Sequence, residues 1–155
     1  MQKILEKAEA LYKSGDINAA EKEYLRIIEQ DENFYTAWFN LGVLYFNSGK
    51  PEKAFECFDK CIKGGFANAS VYNYAGIILQ NSSDVALSAA YFNAALNLEP
   101  ENILALNNIS LSYFLIGKEN EAVECLEKAL KIAPDDYETY YNLGFIYFKM
   151  NQLEK

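Results

Sequence analysis

The sequence contains no histidine, which removes the commonest general base near neutral pH and the commonest nitrogen ligand for zinc. There is no glycine-rich phosphate loop, no nucleophile elbow and no Ser or Cys with a His base. The chain is therefore not expected to be an enzyme, and neither a metal nor a cofactor is expected. It also lacks an apolar run long enough to span a bilayer, so no membrane span is expected. Cations are scarce: 14 Lys+Arg stand against 22 Asp+Glu, and the formal charge of -8 repels a phosphate backbone over the range at which nucleic-acid binders meet it. Nucleic acid is not an expected partner. Cysteine is limited to Cys57, Cys61 and Cys125, an odd number, and the N-terminal MQKILEKAEA reads as an amphipathic charged stretch rather than a secretory signal. A reducing, cytoplasmic location fits. Cys57 and Cys61 would share a helix face, but two thiolates without His or a second such pair make a poor metal site, and both are expected to pack as small hydrophobes.

What is present is a repeat. With 51% apolar against 23% charged residues the chain should fold, and its side chains recur with a period of 34. Gly42, Gly76 and Gly144 lie 34 and 68 apart, with Ser110 at the vacant step. Three further columns run in phase: Tyr45, Leu79, Tyr113, Tyr147; Ala20, Ala54, Ser88, Ala122; and Tyr24, Phe58, Phe92, Leu126. A fifth, Ile27, Cys61, Ala95 and Ala129, is mostly small, as a close helix approach requires. Apolar residues at spacings of three and four run through 2–14, 17–30, 35–48, 51–63, 69–82, 85–98, 103–116, 119–132 and 137–150, which predicts nine helices and no strands. Ser14-Gly15-Asp16 and Ser48-Gly49-Lys50-Pro51 are tight turns, with Asp16 placed to cap a helix and Pro51 at a first helical position. Such short turns make successive helices antiparallel. Gly42 and Ala54 then let the two helices of a hairpin touch, while Trp38, Tyr45 and Phe58 are expected to bury area between hairpins.

The second repeat spells Trp38-x2-Leu41-Gly42-x2-Tyr45 and Ala54-x3-Phe58, which resembles the tetratricopeptide repeat (TPR) signature, and Pro100 and Pro134 stand where that family closes a repeat. The resemblance covers the chain as repeats 1–34, 35–68, 69–102 and 103–136 with a half repeat from 137 to 155. It implies an all-α fold, a right-handed solenoid of antiparallel hairpins forming a single domain. Repeat one departs from the signature, with Ile4 and Ala8 at the Trp and Gly positions. Repeat two ends in Lys63-Gly64-Gly65-Phe66 instead of a proline turn, so a departure in geometry is expected at that junction. The half repeat ends in a helix carrying Tyr137, Tyr140, Tyr141, Phe145, Tyr147 and Phe148. It is apolar nearly all round, whereas a terminal solenoid helix should present a polar outer face. The expectation is a fragment of a longer repeat protein, or a second chain over this end.

The resemblance further implies a concave groove lined by the first helices of the hairpins. Repeat two would contribute Phe39, Asn40, Val43 and Phe46; repeat three Asn73 and Ile77; repeat four Asn107, Asn108, Leu111 and Phe114; and the last helix Tyr141, Asn142 and Phe145. That groove is aromatic, aliphatic and amide-rich, with almost no charge. The carboxylate clamp known in some family members needs cations where this chain has Leu5, Ser70 and Tyr74, so it is not expected. Asn40, Asn108 and Asn142, spaced by 68 and 34, resemble the asparagine ladder by which other members hold a peptide backbone, and the alternative is local packing. From Gly64 to Gly117 there is no Lys or Arg, and the charges are Asp84, Glu99 and Glu101 alone. Such a stretch is either buried on a partner or a surface solubilised by Asn and Ser. The function expected is a scaffold or adaptor that binds a protein or peptide partner in this groove. Two alternatives stand beside it: a substrate-docking module of a larger enzyme continuing past Lys155, and a homo-oligomer joined through the uncharged middle or the exposed last helix.

Overall fold

The computed structural model describes residues 1–82 and 84–153. Among these there are nine α-helices and no strand: α1 (Gln2–Lys13), α2 (Ile17–Gln30), α3 (Tyr35–Asn47), α4 (Pro51–Lys63), α5 (Ala69–Asn81), α6 (Val85–Leu98), α7 (Ile103–Leu115), α8 (Glu119–Ile132) and α9 (Tyr137–Leu153). Local chemistry explains where they begin. The carboxylates of Asp16 and Asp136 and the amides of Asn68 and Asn102 each accept from a backbone N–H three residues on, at 3.1, 3.0, 2.9 and 2.9 Å. Pro51 is the first residue of α4, where its missing N–H costs nothing. Gly15, Gly49 and Gly117 follow α1, α3 and α7 with φ of 86°, 70° and 76°, a backbone region that only glycine adopts cheaply.

The chain divides into two compact units, Met1–Ala67 with α1 to α4 and Asn68–Lys155 with α5 to α9. In the first, a β-carbon built on Gly42 would stand 2.7 Å from Cε1 of Phe58, so α3 and α4 approach as the sequence suggests. Phe58 is accordingly fully buried, against Gly42 and Phe39 (ring centroids 6.1 Å apart) on the facing helix. Tyr45 does link hairpins: its hydroxyl donates to Glu21 on α2 at 2.8 Å, and Lys50 and Lys53 stand over its ring. Trp38 donates Nε1–H to the Glu32 carbonyl at 2.8 Å beneath Lys60, which pairs with the Glu32 carboxylate at 3.0 Å. The turn after α4 is ordered by aromatic contact: Phe66 stacks on Tyr35, whose ring fills the space over Gly64. Cys57 and Cys61 are buried.

In the second unit Phe92 repeats the part of Phe58, its Cε1 2.6 Å from a β-carbon built on Gly76. Ala89, Phe92 and Ile109 form one cluster, joined by Ile77, Leu96, Tyr113 and Cys125. Ala122, Leu126 and Ile146 form another, through which Leu143 and Met150 dock α9. A buried polar chain runs between the apolar layers: Gln80 Nε2 donates to Ser112 Oγ at 2.8 Å, and that hydroxyl lies 2.8 Å from Ser88 Oγ. α6 carries no charged residue, whereas α2, α4 and α8 each carry several, and its Leu87 and Leu98 are exposed.

Candidate functional site

In the first unit Phe39, Asn40, Val43 and Phe46 are half-buried on α3. Asn40 Nδ2 donates to Glu9 Oε1 at 3.1 Å, and Asn47 Nδ2 donates to the Tyr12 hydroxyl at 2.6 Å, so α1 and α3 are tied by amides. Beside them lies a cleft of about 310 Å³ lined by Glu9, Tyr12, Lys13, Tyr24, Asn40 and Val43. Reading the groove from the second repeat onward misses Glu9, Tyr12 and Lys13. They occupy positions 9, 12 and 13 of the first repeat, and applying the same register there finds them. They also add one charge of each sign to a surface expected to be nearly neutral.

In the second unit the structure sorts the expected residues into two sets. Asn73 and Asn107 are turned inward, 8% and 4% exposed. Asn73 Nδ2 reaches Asn102 Oδ1 at the start of α7 (3.4 Å), and its own Oδ1 is buried with no partner among the described residues. Asn107 Nδ2 donates to Thr139 Oγ1 at 2.8 Å, and its Oδ1 accepts from Asn142 Nδ2 at 3.2 Å. These amides tie each first helix to the start of the next. Ile77 is half-buried against the Phe92 cluster. The outward set is Asn108, Leu111, Phe114, Tyr141 and Phe145: Leu111, Tyr141 and Phe145 are exposed, and Phe145 meets Phe114 edge to face at 6.0 Å. Of the three Asn at the ladder spacing, Asn40 and Asn142 have partners inside the chain. The Asn108 side chain makes no hydrogen bond among the described residues, and its backbone carbonyl accepts from Gln80 at 3.2 Å.

The reactive chemistry is muted. Burial pushes the Cys57 and Cys61 thiols up to about 12 and the Cys125 thiol up to about 11, so all three stay protonated near neutrality and are weak nucleophiles and ligands. Among the described residues no cluster of three or more His, Cys, Asp or Glu could hold a metal ion, and no helix is long and apolar enough to cross a membrane. The arrangement can hold a partner by apolar contact and amide hydrogen bonds.

A tetratricopeptide repeat model matches residues 35–63, and a TPR repeat model matches residues 111–151. The chain is 28% identical over 138 residues to the BBSome complex member BBS4 of Bos taurus, covering 89% of this chain and 27% of that protein. It spans about a quarter of the curated relatives it matches. The crystal structure of MamA superposes with a TM-score of 0.89 at 21% identity, covering 97% of this chain and 82% of that one. YrrB, described as a TPR protein with an unusual peptide-binding site, superposes with a TM-score of 0.85 at 20% identity, covering 96% and 76%. These likenesses show the fold, an all-α solenoid of antiparallel helix hairpins.

Proposed function

The chain belongs to the tetratricopeptide repeat family, and from that premise we propose that it is a protein-interaction module that holds a segment of a partner on the outward residues of α7 and α9. The observation that carries this reading is the exposed set Leu111, Tyr141 and Phe145 on first helices of the second unit, next to Asn108. Large apolar side chains grouped on a surface mark contact sites, and aromatic anchors supply most of the energy of such contacts. An amide can donate to a carbonyl and accept from an N–H, so Asn108 suits an extended backbone. No bond is made or broken; the work is desolvation of the partner's apolar side chains. The peptide-binding site named for YrrB and the complex membership named for BBS4 support the same class of role.

The test is affinity capture with the 155-residue chain, read by mass spectrometry beside a Leu111→Glu/Tyr141→Ser variant. Both positions are exposed, so helicity should be unchanged while captured partners are lost. Undiminished capture by the variant overturns the reading.

A second reading is favoured by one observation, the uncharged outer surface of α6 with exposed Leu87 and Leu98: copies of the chain associate through it. Sedimentation at rising concentration, with Leu87→Glu as comparison, separates the two. Self-association abolished by that substitution supports it, and a monomer at every concentration removes it.

A further inference from the structure

Repeat one breaks the period of the chain at two places, and the two meet in one cleft. Position 9 of the successive repeats reads Glu9, Val43, Ile77, Leu111 and Phe145, so Glu9 is the single charge in an otherwise apolar column. The column that begins with Tyr24 continues as Phe58, Phe92 and Leu126, all fully buried, so packing at that place needs no hydroxyl. Glu9 from α1 and Tyr24 from α2 both line the cleft of about 310 Å³ that Asn40 and Val43 of α3 complete.

Tyr24 is 1% exposed, yet its hydroxyl makes no hydrogen bond among the described residues. Burial, and after it the nearness of Glu9 and Tyr12, pushes its pKa up to about 12. The hydroxyl therefore stands beside two side chains of the cleft wall and stays protonated near neutrality. A buried hydroxyl without a partner is costly, and a ligand atom in the cleft relieves that cost. The half-buried Glu9 carboxylate accepts from Asn40 Nδ2 at 3.1 Å through Oε1, while Glu9 Oε2 and Asn40 Oδ1 have no partner among the described residues. Three oxygens on three helices are thus left to accept. Lys13, at the rim, is exposed and forms no ion pair among the described residues. Solvent screens its charge more than that of Glu9, so the field inside the cleft is negative.

We propose that this cleft binds a primary ammonium group on an unbranched aliphatic stem, of the kind a lysine side chain carries. Its three N–H donors match the three acceptors, Glu9 Oε2, the Tyr24 hydroxyl and Asn40 Oδ1. A guanidinium fits less well, because its fork needs both carboxylate oxygens and the Asn40 amide already holds one. An anion would face the Glu9 charge. Val43 and the Tyr12 ring give the stem an apolar wall to lie against. The volume is at the lower end of the roughly 300–1,000 Å³ of ligand sites, which suits one side chain. None of these residues belongs to the surface proposed on α7 and α9, so either assignment stands without the other.

The probe is Nα-acetyl-lysine amide, titrated into the 15N-labelled 155-residue chain and followed by backbone and side-chain amide chemical shifts. Saturable shifts at Asn40 and its neighbours are expected. Glu9→Gln should weaken binding about tenfold or more, and Tyr24→Phe about three- to tenfold. Tyr24→Phe installs the residue that positions 58 and 92 already hold, so the melting temperature of the unliganded chain should stay or rise. A clear fall would reveal an internal partner for the hydroxyl and overturn the proposal. Lys13→Ala should tighten binding by removing a like charge from the rim; weaker binding would assign the cleft to an anion and likewise overturn it. The Nε-acetylated probe, which keeps the stem and lacks the charge, should bind about tenfold more weakly or worse, and the arginine counterpart should also bind more weakly. n-Butylammonium bound as tightly as the probe identifies a free amine as the source of the ammonium, and looser binding identifies the side chain of a polypeptide; both uphold the site. No saturable shift, or an affinity that Glu9→Gln and Tyr24→Phe leave unchanged, overturns the proposal.

Discussion

The Phe92 ring stands where a β-carbon on Gly76 would have to be. A carbon built there falls 2.6 Å from Cε1 of a ring that has no exposed surface and nowhere to retreat. Gly76→Ala should therefore destabilise the chain, because forcing extra volume into a packed core costs about 1–3 kcal/mol, more than the roughly 1 kcal/mol that alanine gains as a helix former. Gly144→Ala, with open space above it, should stabilise by about 0.5–1 kcal/mol. Urea denaturation of the two variants should give midpoints displaced in opposite directions.

Alkali should weaken the first unit before ordinary tyrosine or lysine titration is complete. Burial holds the folded Cys57 and Cys61 thiols near 12, whereas an unfolded thiol ionises near about 8.5. The unfolded chain thus loses its protons first, so the stability these thiols contribute is full below the unfolded value and declines as pH rises toward the folded one. Burial also raises Tyr24, to about 12, with the same sign. Denaturation midpoints measured from pH 8 upward should fall, and a Cys57→Ala/Cys61→Ala variant should show a shallower fall.

Acid should loosen α9. The Asp136 carboxylate accepts from both the hydroxyl and the N–H of Thr139, which hold its pKa below the usual range, and Thr139 in turn accepts from Asn107. The stability from this cap is present above the unfolded carboxylate value, near about 3.9, and is lost as pH falls through the lower folded one. Amide exchange in the first turns of α9 should quicken, after correction for intrinsic rates, between pH 5 and pH 2. Asp136→Ala should show that faster exchange already at pH 5.

The Ser112 hydroxyl serves two partners at once, and it has no exposed surface. Ser112→Ala should cost about 0.5–1.5 kcal/mol by removing one hydrogen-bond partner each from the Gln80 amide and the Ser88 hydroxyl, which keep the Asn108 and Val85 carbonyls. Replacing Ser88 by Ala as well should add less than its cost alone, since that hydroxyl has already lost a partner. Thermal melts of the two single variants and the double variant close the cycle.

Sequence periodicity carries the helices of this fold closely, and the reason is visible in individual residues. Asp16 and Pro51 act only on neighbours along the chain, so their roles are local and readable; the helices begin at the expected residues, and their ends differ by a residue or so until α9, which continues to Leu153. The bare rings of α9 are readable for the same reason. The orientation of an amide is not. Asn73, Asn107 and Asn108 sit on one kind of helix at neighbouring positions. The first two turn inward because Asn102 and Thr139, about 30 residues further on, offer them partners. Spacing marks candidates for a surface, and long-range hydrogen bonds decide which of them reach it.

Trp38 gives the chain an uneven optical signature. It is the sole tryptophan, it belongs to the first unit, and it is fixed by its bond to the Glu32 carbonyl under the Lys60 ammonium. Emission excited at the red edge of the absorption band thus reports on α3 and its surroundings and is blind to α5 through α9. Far-UV dichroism, by contrast, weighs every helix equally. A denaturation followed by both signals at once resolves whether the two units melt together, with no label added.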